Sequence, residues 1–114
     1  MNIEKVETWW ANIYVGSKIG YRGDCVSLDV ARSWLQNYCD WLGFAVTFTE
    51  TEFIYAGGNE PGFIVGLINY PRYPASSEQL LKKAMYIAEQ LKILMVQERV
   101  SIVTPTETFM LGEK

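Results

Sequence analysis

The chain has 114 residues, with 10 basic and 13 acidic side chains, no histidine, two cysteines and a formal net charge of −3. At 49% hydrophobic and 20% charged it is too apolar for a disordered chain, and the absent histidine removes Ser–His and Cys–His nucleophile pairs and histidine metal ligands. The small negative charge argues against sequence-independent binding to a nucleic-acid backbone.

A chain of this length hides roughly two thirds of its unfolded surface on folding, so one domain spanning residues 1–114 is expected. The start Met1-Asn2-Ile3-Glu4-Lys5 lacks the basic and apolar run of a signal peptide. No stretch reaches the about 18 apolar residues a membrane span needs. A cytoplasmic protein with Cys25 and Cys39 as thiols follows, with no membrane partner, no metal and no cofactor expected.

In chain order, Thr8–Gly16 alternates Trp9, Ala11, Ile13 and Val15 against Trp10, Asn12 and Tyr14, which predicts a strand. A glycine-rich loop follows. Ser27 then caps an amphipathic helix over 28–42 that Gly43 ends, with Trp34 and Trp41 on its apolar stripe. Phe44–Tyr55 is rich in Thr and Glu and reads as an edge strand, and Ala56–Gly62 reads as a turn with an acidic tip at Glu60. Phe63–Tyr70 is nearly all apolar, as a central strand would be. Ser76 and Gln79 form a capping box for a second helix reaching about Gln97. Arg99–Thr104 is the last strand signal, which Thr106–Leu111 extends beyond Pro105.

The order β-α-β-β-α-β is that of ferredoxin-like α+β folds, with a four-stranded antiparallel sheet and two helices on one face. The first and third strands are expected at the centre and the second and fourth at the edges. The two central strands are expected to be parallel neighbours, so the loops after them emerge at one end, where both helices also begin. One loop carries Lys18, Tyr21 and Arg22; the other carries Asn69, Tyr70, Arg72 and Tyr73. Basic groups, helix N-termini and tyrosine rings together suit an anionic, nucleotide-like small molecule. The same residues have a purely structural account, in which Tyr70 and Tyr73 cover helix ends and Arg22 pairs with Asp24. No phosphate-loop or dinucleotide fingerprint is present.

The second helix carries Met85, Tyr86, Ile93 and Val96 outside its core face, which marks an interface with a second copy, as a homodimer, or with a host protein. In size, acidity and aromatic content the chain is similar to the small single-domain proteins of bacteriophages. That resemblance implies an anti-defence inhibitor that blocks a host factor. With no tuned base, the expected function is non-enzymatic: sequestering a nucleotide-like ligand, or binding a host protein through the second helix. The alternative is a small enzyme acting on a phosphorylated or acyl substrate.

Overall fold

A computed structural model describes residues 1–20 and 23–112. The elements are β1 (Trp10–Gly16), α1 (Leu28–Leu42), β2 (Thr47–Tyr55), β3 (Gly58–Ile68), α2 (Ser77–Leu94), β4 (Arg99–Val103) and β5 (Thr108–Gly112). They form an α+β fold with one antiparallel sheet in the order β2-β3-β1-β4-β5.

Local chemistry sets the element ends. Ser27 accepts from the Asp29 N–H at the start of α1 (3.2 Å), and Gly43 closes that helix at φ 67° with its N–H on the Cys39 carbonyl. Ser76 and Gln79 make the reciprocal capping box of α2, at 3.1 and 2.9 Å. The β2–β3 hairpin turns through Ala56 and Gly57 alone, with Gly57 at φ 84°, where a side chain would be strained.

Alternation on β1 buries Ala11, Ile13 and Val15 completely. They meet Phe63, Val65 and Leu67 of β3, Val100 and Ile102 of β4, Ala31 and Leu35 of α1, and Ala84, Ile87, Ala88 and Leu91 of α2. Both helices therefore serve one face of the sheet. The opposite face is covered by neither: Trp10, Tyr14, Ile64 and Val103 are half-buried there, and Ile68 and Met110 are exposed.

Four expectations need correction. The sheet has five strands, not four, because the chain after Pro105 turns back and pairs Thr108–Gly112 against β4. β4 is consequently an inner strand, which suits its buried Val100 and Ile102. The turn signal at 56–62 marks only two turn residues; Asn59, Glu60 and Pro61 already lie in β3 opposite Ile54, Phe53 and Glu52. Trp41 does not join the core but stands 82% exposed at the end of α1.

The fourth correction matters most for function. β1 and β3 are antiparallel neighbours, with Trp10 opposite Ile68 and Gly16 opposite Gly62. The crossover through α1 brings β2 in along the direction of β1, and the hairpin then reverses β3. The loops after β1 and β3 therefore leave opposite ends of the sheet, and the two helices start at opposite ends too.

Candidate functional site

The expected two-loop site is divided by this topology. Lys18 lies at the end marked by Gly16 and Gly62, where its N–H meets Glu60 and its Nζ donates to the Asn59 carbonyl at 3.1 Å. Asn69, Tyr70, Arg72 and Tyr73 lie at the other end. Tyr21 and Arg22 lie outside the described residues.

At the far end the side chains are spent on structure. Asn69 donates to the Glu7 carbonyl (2.9 Å) and accepts from the Ala75 N–H (3.0 Å), tying the N-terminal segment to the start of α2. Arg72 sits against the Tyr73 ring and hydroxyl, and Tyr73 is exposed. The proposed stripe on α2 also splits. Met85 packs against the core, and Tyr86 meets Tyr38 of α1 at 5.7 Å between ring centres. Only Ile93 and Val96 of the four face outward without such a contact, at 65% and 53% exposure.

The Lys18 end has the denser polar chemistry. One carboxylate oxygen of Glu60 accepts from the backbone N–H groups of Ser17 (3.0 Å) and Lys18 (2.6 Å). The Ser17 hydroxyl donates to the Pro61 carbonyl, and the Val26 N–H returns to the Ser17 carbonyl at 2.8 Å. Gln97, in the turn that follows α2, donates its carboxamide to the Lys18 carbonyl (3.1 Å) and the Met95 carbonyl (2.9 Å). Backbone at 17–18 is thus held through its donors by Glu60 and through an acceptor by Gln97.

A cavity of about 230 Å³ opens at this place, lined by Lys18, Gly20, Tyr55, Glu60, Gln97, Glu98 and Arg99. Three strand ends supply it: β2 brings Tyr55, β3 brings Glu60 and β4 brings Arg99. Glu60 and Gln97 make its floor, and both pack against Gly16. A Cβ there would stand 2.8 Å from Glu60 Oε2 and 3.0 Å from Gln97 Oε1, so the two oxygens converge above a bare α-carbon. Such a floor attracts cationic groups, while Lys18 and Arg99 at the rim suit a carboxylate.

Larger cavities are less equipped, as two of them show. A groove of about 380 Å³ between α1 and β2 holds Arg32, Cys39, Phe44 and Phe48. Arg32 is already engaged there by Glu50 at 2.8 Å and Asp29 at 3.3 Å. Burial pushes the Cys39 thiol up from its ordinary value, against a lowering hydrogen bond from the Val46 backbone, and Asp40 raises it further. Burial likewise raises Tyr38, helped by Tyr86 and Cys39. A thiol held protonated is a poor nucleophile. The cavity of about 520 Å³ at the start of α2 is lined by Val6, Trp9, Asn69 and Ser76, whose polar atoms serve the caps already described.

Sequence reading treats Glu60 as the tip of a turn and gives Tyr55, Gln97 and Arg99 no role. The available signal is glutamate three residues before a central apolar run, where a strand end, unlike a turn tip, aims it at a neighbouring strand's loop.

No protein-family model and no curated protein matches the sequence. Two solved structures share the fold. One is a phage SAM lyase in complex with S-methyl-5'-thioadenosine, 17% identical, with a TM-score of 0.73 over 99% of this chain and 95% of that one. The other is a phage SAM lyase in the apo state, also 17% identical, with a TM-score of 0.72 over 100% and 98%. The resemblance to small phage proteins agrees with these neighbours. The expectation of a non-enzymatic protein does not: the fold spans nearly the whole length of an enzyme. That expectation rested on missing histidine, which excludes only chemistry that needs an imidazole.

Proposed function

We propose that the chain is a lyase that cleaves a carbon–sulfur bond in S-adenosylmethionine or a closely related sulfonium nucleoside. The observation that carries this reading is the Glu60 carboxylate, fixed by two backbone N–H groups on the floor of a cavity that Tyr55, Gln97 and Arg99 also line. The fold shared with a SAM lyase that binds methylthioadenosine supports the choice of substrate.

The reaction suits a chain without histidine. A sulfonium sulfur leaves as a neutral thioether, taking the electron pair of the breaking bond. The substrate's own carboxylate oxygen attacks the γ-carbon and closes a lactone, so methylthioadenosine and an amino-lactone form with no proton transferred. The protein then needs neither a nucleophile nor a base; it must hold the carboxylate in line with the bond to sulfur. Arg99 and Lys18 position that carboxylate. Glu60 and the Tyr55 ring favour the cationic part of the substrate. A space of about 230 Å³ takes the amino-acid arm, and the nucleoside extends past exposed Tyr55.

Purified protein incubated with S-adenosylmethionine should release methylthioadenosine, detected by chromatography. Glu60→Gln should lower kcat/KM by about 100-fold while the protein remains folded by circular dichroism. Wild-type protein that leaves the compound intact, or a Glu60→Gln variant with full activity, overturns the assignment. Ile93 and Val96 remain our candidates for contact with a second copy, supported by their exposure on α2 and its C-terminal turn.

A further inference from the structure

The C-terminal end of α2 is built in an unusual way. The Val96 N–H bonds the Ile93 carbonyl at 3.1 Å and the Gln97 N–H bonds the Lys92 carbonyl at 2.9 Å, the paired bonds of a Schellman turn. The left-handed position of that motif normally takes glycine. Here Val96 fills it at φ 54°, the one non-glycine residue with positive φ among the described residues. A β-branched residue in this conformation is a clear outlier, and such positions persist where surrounding contacts over-determine them.

The turn aims the Gln97 side chain at the site. Its carboxamide nitrogen donates to the Met95 and Lys18 carbonyls, so both N–H groups are spent and the amide cannot usefully flip. The amide oxygen is left on the other side; it and Glu60 Oε2, which already accepts the Ser17 and Lys18 N–H groups, both come within about 3 Å of the point where a Gly16 Cβ would stand. A carboxylate and an amide oxygen converging in one cavity wall match a primary ammonium group, whose positive charge meets the carboxylate as a whole while its donors reach the Gln97 oxygen. A hydroxyl or a carboxylate would lack the charge or repel it.

We infer that Glu60 and Gln97 form a two-oxygen subsite for the α-ammonium group of the substrate, with Gln97 as the residue that sets selectivity for it. This rests on the lyase reading above and adds to it the handle by which the amino-acid arm is held. An ammonium clamped at the α-carbon orients the neighbouring carboxylate, so the contact should act on kcat as well as KM.

The test compares S-adenosylmethionine with its des-amino analogue, which keeps the carboxylate and sulfonium but lacks the amine. Wild-type protein should prefer the amine-bearing compound by about tenfold or more in kcat/KM. Gln97→Met, similar in length but without the oxygen, should lose most of that preference. Gln97→Glu should raise it, and carries the test if Gln97→Met fails to fold. A merely structural role for Gln97 would lower both substrates equally and leave the preference intact. Cleavage of neither compound by the wild-type chain overturns the lyase reading, and this inference with it. Cleavage with an unchanged preference in Gln97→Met, or in Gln97→Glu where Gln97→Met does not fold, overturns the subsite alone.

Discussion

The two ends of the sheet use polar side chains for different ends. At the Asn69 end, side-chain amide and hydroxyl groups complete backbone hydrogen bonds: Asn69 serves Glu7 and Ala75, and Ser76 serves Gln79. At the Gly16 end, Glu60 also binds backbone N–H groups, but it keeps a charge and an oxygen partner beside an open cavity. A neutral cap loses nothing by being closed over. A carboxylate held this way attracts a cation, because its position is fixed before the ligand arrives and little reorganisation remains. Satisfied hydrogen bonds do not by themselves distinguish a structural end from a functional one; residual charge and access do.

The sharpest way to break this contrast is Gly16→Ala. The added methyl meets Glu60 Oε2 at 2.8 Å and Gln97 Oε1 at 3.0 Å, both ends of flexible side chains, so the fold can yield without moving the backbone. Gly16 is a strand residue with no positive φ, so alanine costs nothing there in backbone conformation. Catalysis should fall about 100-fold in kcat/KM, since a displacement near 1 Å at a positioning group has that consequence. Unfolding by urea should show a loss of about 1–2 kcal/mol, because moving Oε2 weakens its bonds to the Ser17 and Lys18 N–H groups. A variant with normal turnover would mean that the two oxygens are not at the reacting centre.

The converse experiment is at the other end. Asn69→Ala removes the bonds to Glu7 and Ala75 and should cost about 1–2 kcal/mol in urea unfolding. Turnover per folded molecule should stay within about twofold, as expected for a site far from the substrate. A large loss of kcat with stability unchanged would place function at the Asn69 end and reverse the comparison.

These contrasts also show what the amino-acid sequence carries. Helix ends are legible because their causes are local: Ser27 and Gly43 bracket α1, and Ser76 with Gln79 starts α2. Alternation at Ala11, Ile13 and Val15 identifies the buried face of β1 for the same reason. Strand direction is not local. It depends on the parity of crossovers and hairpins, and treating β1 and β3 as parallel joined Lys18 to Arg72 across the length of the sheet. Thr108–Gly112 is hidden in a different way: Pro105 and the Thr104 side chain, which accepts from the Glu107 N–H at 3.0 Å, make a turn that a continuous strand reading passes over. Glu60 is missed because Pro and Gly beside it signal a turn, although paired β-strands hold both residues here.

The smallest expected effect separates the cysteines. Cys25 is exposed and pairs with Lys18 across the loop that Glu60 clamps, whereas Cys39 lies half-buried in the α1–β2 groove. Burial, with Asp40, holds the Cys39 thiol above its ordinary value of 9.0 despite the Val46 hydrogen bond. Its sign is fixed: the unfolded thiol ionises first, so this group's contribution to stability is present below pH 9.0 and is lost as pH rises towards the folded value. At about pH 8, iodoacetamide should therefore modify Cys25 before Cys39. Activity should fall only a few-fold with the first modification, through the loop, and no further with the second, as peptide mass mapping against turnover would show. Loss of activity that tracks Cys39 would move the functional region to the α1–β2 groove and away from both ends of the sheet.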